Sequence, residues 1–295
     1  MKINITYWLA LSCLLVNFSI SAQNVSLQNA EHLLGEEKFM EAATAFEKAY
    51  FFGQSEEDRV DALFKRAYCF KQLNKHHEAY KSLVRVLPYN LNDSLKCAAQ
   101  YELALNLYLG KFYKDAEKYC AKNRSLPVNT PEYKRTILLH ALILNELNDY
   151  AYAKQKVLEY QDNITLDKFQ IDSLNLFVNS YYSKKKLPKL KSLRKARRLS
   201  KVLPGAGLFY AGKPGKALLN ITLQLGALGY TGANLFFENY VTAATAGVFM
   251  LRSFYTGGIN QLNEVVPKVN YKRSRKFNDD FRKNYLTKLQ KYYAY

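Results

Sequence analysis

The segment LPGAGLFYAG, at residues 203–212, separates a region with many charged residues from a long apolar region. Residues 217–237 contain no charged side chain and consist mainly of Leu, Ile, Ala, Gly and Phe. These 21 residues are about as many as a helix needs to cross a hydrocarbon core of roughly 30 Å. Only Glu238 and Asn239 separate this run from a second apolar run that ends at Leu251, and so short a connection predicts an antiparallel helical hairpin.

Two environments suit such a hairpin. In lipid, small residues such as Gly226, Gly229 and Gly247 let helix backbones approach closely, because no hydrophobic drive remains between the helices. Polar residues in the first run, Asn220 and Gln224 among them, lower its hydropathy and favour the alternative, a buried hairpin of a soluble domain. The length of the run outweighs these polar residues, and we expect the hairpin to insert into a membrane.

Arg252 interrupts the apolar residues of the second helix. A charge near the middle of a membrane costs at least roughly 2.5 kcal/mol on insertion scales. We therefore interpret Arg252 as an anchor at the membrane interface, and the alternative is a polar site inside the membrane. Ser253 and the pair Gly257-Gly258 follow it and predict that the helix ends there.

The segment before the first apolar run resembles a family of small bacterial membrane-hairpin domains that carry Pro-Gly-x-Gly-x-x-Tyr-x-Gly, often behind periplasmic tetratricopeptide repeats. The matching residues are Pro204, Gly205, Gly207, Tyr210 and Gly212, together with Ser200, Leu203, Ala217 and Leu218. Family members usually carry Gln where this chain has Leu208. The resemblance implies a location at a membrane and no particular activity. Proline stops the preceding helix, the glycines permit a sharp turn, and tyrosine suits a membrane interface.

Positive charge lies on both sides of the apolar region. The chain carries a net charge of +18, of which residues 184–201 contribute +10 and residues 268–295 contribute +7, whereas residues 1–183 sum to zero. Basic flanks suit anionic lipid head groups, at about 1 kcal/mol per residue near the surface; a plain solvated face and nucleic-acid binding are the alternatives. The basic residues expected to face lipid are Lys184, Lys185, Lys186, Arg194, Lys195, Arg197, Arg198, Lys201, Arg273 and Arg275.

The first 22 residues predict a secretory signal peptide. Lys2 supplies the positive start, residues 8–18 form a short apolar core, and Ser19-Ile20-Ser21-Ala22 forms a small-residue cleavage site. An uncleaved anchor helix, the alternative, would need a longer apolar run. Export argues against nucleic acid as a partner and places the following repeats in the periplasm. Because Lys and Arg tend to stay cytoplasmic, either the hairpin lies shallowly in the interface, or the flanks bind lipid from the periplasmic side, or the signal interpretation is wrong.

Alanines recur every 37 residues between the signal and the basic segment. Two series carry the pattern: Ala30, Ala67, Ala104, Ala141 and Ala42, Ala79, Ala116, Ala153. Such spacing indicates pairs of antiparallel helices that cross closely at small residues. The pattern resembles the tetratricopeptide repeat, whose usual period is about 34 residues. We expect four helix pairs, and a fifth from Leu166 whose second helix is the basic segment 187–202.

A stack of such pairs implies a curved solenoid whose concave surface binds peptides or protein segments. The sequence predicts that Tyr101, Asn106, Tyr108 and Asn145 line this surface, and surface decoration without binding is the alternative.

No catalytic, cofactor or metal motif is present in the sequence. Cys69, Cys97 and Cys120 lack metal spacing and are expected in the core, with a Cys69–Cys97 disulfide as an alternative. His76 occupies a position that aromatic residues fill in the other repeats, so we expect it to pack. We therefore predict no enzyme activity, no cofactor and no metal.

The sequence thus predicts an all-α protein with a tetratricopeptide-like solenoid, a hydrophobic helical hairpin and a basic tail. The predicted order is signal peptide (1–22), repeats (23–183), basic helix or linker (184–201), membrane hairpin (202–265) and basic tail (266–295). The predicted function is a non-enzymatic scaffold or adaptor of the bacterial envelope, anchored to a membrane and binding a protein partner. The alternative is a subunit of a transport or envelope-assembly complex, in which the hairpin oligomerises and the repeats form a docking arm.

Overall fold

The computed structural model describes residues 27–122 and 131–293. Over these residues the protein is all-helical, as the sequence predicts, and none of them forms a β-strand. The predicted signal peptide, residues 1–22, lies outside them. The chain divides into two compact units, Met1–Asn179 and Ser180–Tyr295.

The helices of the first unit are α1 (residues 27–35), α2 (Phe39–Phe52), α3 (Glu56–Gln72), α4 (His76–Val84), α5 (Asp93–Leu109), α6 (Tyr113–Lys122), α7 (Pro131–Glu146), α8 (Tyr150–Asp162) and α9 (Lys168–Tyr181). The unit boundary falls in the last turn of α9. The helices of the second unit are α10 (Leu193–Val202), α11 (Ala206–Tyr210), α12 (Pro214–Phe236), α13 (Tyr240–Thr242) and α14 (Val248–Tyr293), with a π-helical turn at Ala243–Gly247. Helix α13, the π-helical turn and α14 follow one another without a break.

Consecutive helices of the first unit pack against each other. Helix α2 contacts α3, α3 contacts α4, α5 contacts α6, and α7 contacts α8. The recurring alanines are at most 3% exposed: Ala30, Ala42, Ala67, Ala79, Ala104, Ala116, Ala141 and Ala153. A side chain of one methyl group lets two helices approach closely, so these positions carry the helix crossings.

The turn between the two helices of each pair has one backbone conformation in all four copies. Glu37, Asn74, Lys111 and Asn148 all have a positive φ, between 56° and 66°, and they too are 37 residues apart. The next residue donates its N–H to a carbonyl oxygen five positions earlier, as Lys75 does to Phe70 at 2.8 Å and Phe112 does to Leu107 at 2.8 Å. This is the Schellman arrangement, which satisfies carbonyl groups at a helix end.

Half-buried ion pairs join neighbouring helices of the first unit. A carboxylate oxygen of Glu47 on α2 lies 2.9 Å from Arg66 Nε on α3, and the other lies 2.8 Å from Arg85 Nη1 after α4. Lys71 Nζ on α3 lies 2.8 Å from Glu102 on α5. Partial burial shields these pairs from solvent, so they contribute more to specific packing than exposed pairs do.

Helix α10 packs against α11 and α14 of its own unit. The prediction that residues 187–202 form the second helix of a fifth repeat is therefore wrong. The buried side of α10 carries Ala196, which shares an apolar core with Leu208, Val265 and Val266. The amino-acid sequence shows that one side of α10 is small and apolar, but it does not show which helix packs against that side.

Helix α14 continues through the point where the sequence predicts its end. It runs past Gly257-Gly258 and contains Pro267, so the segment expected as a basic tail is helical as far as Tyr293. A glycine inside a helix costs only about 0.5–1 kcal/mol. Packing outweighs that cost at Gly258, whose missing side chain leaves room for Asn220 of α12.

Candidate functional site

The first glycine of the Pro-Gly-x-Gly motif is required by its backbone conformation. Gly205 has φ 80° and precedes the first turn of α11. A Cβ on this residue would come within 2.9 Å of the carbonyl oxygen of Ala217 and of a side-chain carbon of Ile221, both on α12. Both the positive φ and the close approach exclude larger residues, so Gly205 allows the chain to turn tightly between α10 and α12.

The second glycine brings α11 against α10. A Cβ on Gly207 would overlap the carbonyl oxygen of Ala196 on α10. The Gly207 N–H donates a hydrogen bond to Ser200 Oγ at 2.9 Å. Gly212, with φ 75°, ends α11, and Pro214 occupies the first turn of α12, where a missing N–H costs nothing.

Tyr210 contacts residues just before and at the start of α10. Its hydroxyl accepts a hydrogen bond from the Ser192 N–H at 3.2 Å. Lys191 Nζ lies 4.5 Å and Lys195 Nζ lies 5.4 Å from the centre of its ring, within the range of cation–π attraction. These contacts give Tyr210 a structural role in the second unit. The sequence instead predicts this tyrosine at a membrane interface.

Polar contacts with α14 hold residues 189–197 in place. The Lys191 N–H donates to Asn270 Oδ1 at 2.7 Å, and Asn270 Nδ2 donates to the Lys191 carbonyl at 2.9 Å. Arg273 donates to the Lys189 carbonyl at 2.5 Å, and Arg197 donates to Asn263 Oδ1. The backbone of this segment is therefore attached to α14.

Of the ten side chains expected to face lipid, five make contacts within the protein: Lys186, Lys195, Arg197, Arg273 and Arg275. All except Arg273 are exposed: Lys184, Lys185, Lys186, Arg194, Lys195, Arg197, Arg198, Lys201 and Arg275. Arg273 is half-buried, and Arg275 lies 3.4 Å from the Asp279 carboxylate. We call the exposed Lys and Arg residues from Lys184 to Lys201 the basic face.

Helices α12 and α14 form an antiparallel pair held by a row of polar side chains. Asn220 donates to the Phe254 carbonyl at 3.1 Å, and Gln224 donates to Asn220 Oδ1 at 2.8 Å. Further along, Thr231 lies against Gly247, where a Cβ would overlap its hydroxyl oxygen. In the sequence Asn220 and Gln224 only lower the hydropathy of the first apolar run, but the structure places them in the contact between the two helices.

The end of this helix pair exposes large apolar side chains. Leu235, Phe236, Phe237, Tyr240 and Val241, which we call the apolar tip, are between 51% and 82% exposed. Further apolar side chains are exposed along the length of the pair: Leu218, Leu219, Leu225, Leu228, Val248 and Phe249. The apolar tip brings five such side chains together within seven residues, and exposed apolar side chains that cluster in this way mark an interaction site.

No helix in the described residues combines the length and the apolar content that crossing a membrane requires. Asn220, Thr222, Gln224 and Asn234 lower the hydropathy of α12. Arg252, interpreted as an interfacial anchor, is exposed.

The residues predicted to line a binding groove in the repeats lie largely in the interior. Asn106 and Asn145 are 1% exposed and Tyr108 is 9% exposed, while Tyr101 is half-buried. The Asn106 amide donates to the Glu102 carbonyl one turn earlier at 2.9 Å. The prediction that Asn106, Tyr108 and Asn145 line a binding surface is therefore wrong.

The cysteines of the first unit are core residues. Cys69, Cys97 and Cys120 are buried, and Cys69 carries a free thiol, so the alternative Cys69–Cys97 disulfide is not formed. Burial raises the pKa of the Cys69 thiol to about 11 and also raises the pKa of Cys120. In the described part of the chain, no three His, Cys, Asp or Glu side chains are grouped so that they could hold a metal ion.

Comparison with protein-family models, curated proteins and solved structures found no match for this chain.

Proposed function

We propose that the protein is a non-enzymatic adaptor of the bacterial envelope. Its first unit is a tetratricopeptide-like stack that binds a protein partner, and α12 and α14 form a hairpin that attaches the stack to a membrane surface. The 37-residue recurrence of buried alanines and of the turn conformation supports the repeat assignment. The hairpin lies in the interfacial layer and does not cross the bilayer.

The exposed apolar tip is the observation that carries the membrane assignment. Phe236 and Phe237 are 82% and 68% exposed, and removing such a side chain completely from water is worth about 1.5–3 kcal/mol. The basic face adds about 1 kcal/mol for each residue near an anionic surface. Since the apolar contribution does not depend on salt, salt should weaken the attachment without abolishing it.

The distribution of exposed apolar residues favours a hairpin that lies lengthwise in the interface. These residues extend from Leu218 near the start of α12 to Phe236 at its end, a distance of about 27 Å at 1.5 Å per residue. Insertion of the tip alone would leave Leu218 and Leu219 in water. An amphipathic helix in the interfacial plane buries its apolar side chains a few ångströms below the head groups.

Flotation with lipid vesicles tests the attachment. The full-length protein should float with vesicles that contain phosphatidylglycerol, more weakly with pure phosphatidylcholine, and still in high salt. The variant Phe236→Ser/Phe237→Ser should lose most of this binding. The control is Phe51→Ser/Phe52→Ser, because these adjacent phenylalanines on α2 are also exposed, at 69% and 59%. Equal flotation of both variants would contradict the proposal.

Tryptophan reporters distinguish the two orientations of the hairpin. With Trp8 replaced by Phe, single tryptophans are introduced as Leu219→Trp and Phe236→Trp. A hairpin that lies lengthwise predicts that lipids brominated at the same depth quench both reporters. Quenching at residue 236 alone would show insertion of the tip only.

Self-association of the hairpin is the second candidate function. Gly226, Gly229 and Gly232 lie three residues apart on α12, and each has open space where a Cβ would stand. Open glycines allow another helix to approach closely. Light scattering of the detergent-solubilised protein should then show an oligomer that Gly229→Leu dissociates. A monomer before and after the substitution would reject this candidate.

A further inference from the structure

A groove of about 840 Å³ in the first unit lies at the N-terminal ends of α3 and α5 and the loop between α4 and α5. Its apolar floor includes Val60 and Phe64 of α3 and Leu95 of α5. Leu95 is 39% exposed, so apolar surface is open to solvent there. The size is that of sites that enclose a small ligand or a few peptide side chains.

Acidic side chains surround this floor. Glu56, Glu57 and Asp61 line the groove, and Glu56 and Glu57 are exposed. Among the described residues, neither Glu56 nor Glu57 forms an ion pair. Lys65, which lies 2.8 Å from Asp61, also lies 2.5 Å from Glu31. The rim therefore keeps an excess of negative charge.

Helix stability explains the acidic residues only in part. Glu56 and Glu57 lie in the first turn of α3, where negative charge interacts favourably with the helix dipole. That effect does not account for Leu95, whose apolar side chain faces the same groove from another helix. Negative charge around an exposed apolar floor is complementary to a cationic segment that carries an apolar side chain.

We infer that this groove binds a peptide segment of a partner protein in which Lys or Arg flanks an apolar side chain. The inference rests on the proposed function, in which the first unit binds the partner. The apolar side chain packs on Phe64 and Leu95, and the cations meet Glu56 and Glu57. The same carboxylates repel phosphate groups, so neither anionic lipid nor nucleic acid suits this groove.

Fluorescence polarisation with a labelled peptide Lys-Leu-Lys-Phe-Lys-Leu and the full-length protein tests the inference. Two further peptides separate charge from apolar contact: one carries Glu in place of Lys, and the other carries Ser in place of Leu and Phe. Binding of the first peptide should exceed binding of both others and should weaken as salt screens the charges. Equal binding of the Lys and Glu peptides would overturn the inference.

Substitutions locate the binding in the groove. Glu56→Gln/Glu57→Gln should weaken binding about tenfold at low salt, and Leu95→Lys should abolish it by placing a cation on the floor. The control Asp162→Asn/Asp172→Asn removes the same charge from exposed sites of the first unit that do not line the groove, and it should bind the peptide as the unchanged protein does. Unchanged binding by the Glu56→Gln/Glu57→Gln variant would overturn the inference.

Vesicle flotation of the same preparations separates this inference from the proposed membrane attachment. A protein that floats but does not prefer the cationic peptide would reject the groove assignment alone. A protein that binds the peptide through Glu56 and Glu57 but does not float would support the groove and reject the membrane attachment.

Discussion

The Gly207 N–H donates a hydrogen bond to Ser200 Oγ at 2.9 Å, and the two residues belong to helices whose backbones lie in contact. A Cβ on Gly207 would overlap the Ala196 carbonyl oxygen as well as the Ser200 hydroxyl. Space therefore requires glycine at this position. The next residue, Leu208, is buried among residues of α14. The close approach at Gly207 therefore also supports the packing of α11 against α14.

Gly207→Ala should destabilise the second unit by about 1–3 kcal/mol, because the added methyl group forces α11 away from α10. Amide hydrogen exchange of α10–α12 should measure the change as faster exchange. Gly215→Ala is the control, since a Cβ there has no neighbour within 4 Å. Equal exchange rates in the Gly207→Ala and Gly215→Ala proteins would show that the close contact at Gly207 does not contribute to stability.

Two adjacent glycines of α14 offer a sharper comparison. A Cβ on Gly258 would overlap the Asn220 amide, whereas a Cβ on Gly257 has nothing within 4 Å. Gly258→Ala should therefore open the contact between α12 and α14, at a cost of about 1–3 kcal/mol. Gly257→Ala should leave this contact intact, because its new methyl group points into open space.

Limited tryptic cleavage after Arg252 measures the opening of this helix pair. Arg252 is exposed but lies within α14, so cleavage requires local unfolding. The Gly258→Ala protein should be cleaved about fivefold faster or more, in line with its lower stability. Alanine favours a helix more than glycine does, so Gly257→Ala should not speed cleavage. Equally fast cleavage of the Gly257→Ala and Gly258→Ala proteins would contradict the steric explanation.

The Cys69 thiol should resist alkylation at neutral pH. Its pKa is raised by burial from the ordinary 9.0 to about 11, and the thiolate is the reactive form. Two pH units mean about a hundredfold less thiolate at a given pH. Because the fold favours the neutral thiol, the stability that it contributes should be complete below pH 9 and should be lost as the pH rises through 11.

Pulsed alkylation with iodoacetamide, followed by peptide mass spectrometry, checks this prediction across the pH range. A cysteine introduced as Ser94→Cys, at an exposed position of α5, provides the reference rate. Alkylation of Cys69 at the same rate as this reference near pH 8 would show that the thiol is not buried and that its pKa is not raised.

The sequence revealed the helix crossings because each crossing needs a small side chain, and alanine leaves a visible period. It did not reveal the turns between the paired helices. Glu37, Asn74, Lys111 and Asn148 share a backbone conformation, but only two of them are asparagine, the side chain that favours a positive φ, so residue type does not mark all four turns. These residues lie seven positions after Ala30, Ala67, Ala104 and Ala141, so the period of the alanines applies to them as well.

At the hairpin, the helices and the motif could be predicted from the amino-acid sequence, but the contacts between the helices could not. Asn220 and Gln224 lower the hydropathy of the first apolar run, but a linear hydropathy profile does not show which side of the helix a residue faces. The pair Gly257-Gly258 predicts a helix end because glycine lowers helix propensity, and the sequence does not show that packing offsets this cost. The contact of Gly258 with Asn220 explains both the polar residue and the glycine.

Lys111→Gly should stabilise the first unit. Lys111 has φ 66°, and a left-handed conformation costs an L-residue with a Cβ roughly 1–2 kcal/mol. Glycine removes this strain but loses more entropy on folding, so we expect a net gain of about 0.5–1 kcal/mol in the free energy of unfolding in urea. The control Lys114→Gly removes the same charge inside α6 and should lower that free energy by about 1 kcal/mol. Losses of equal size in both variants would show that the turn at Lys111 is not strained.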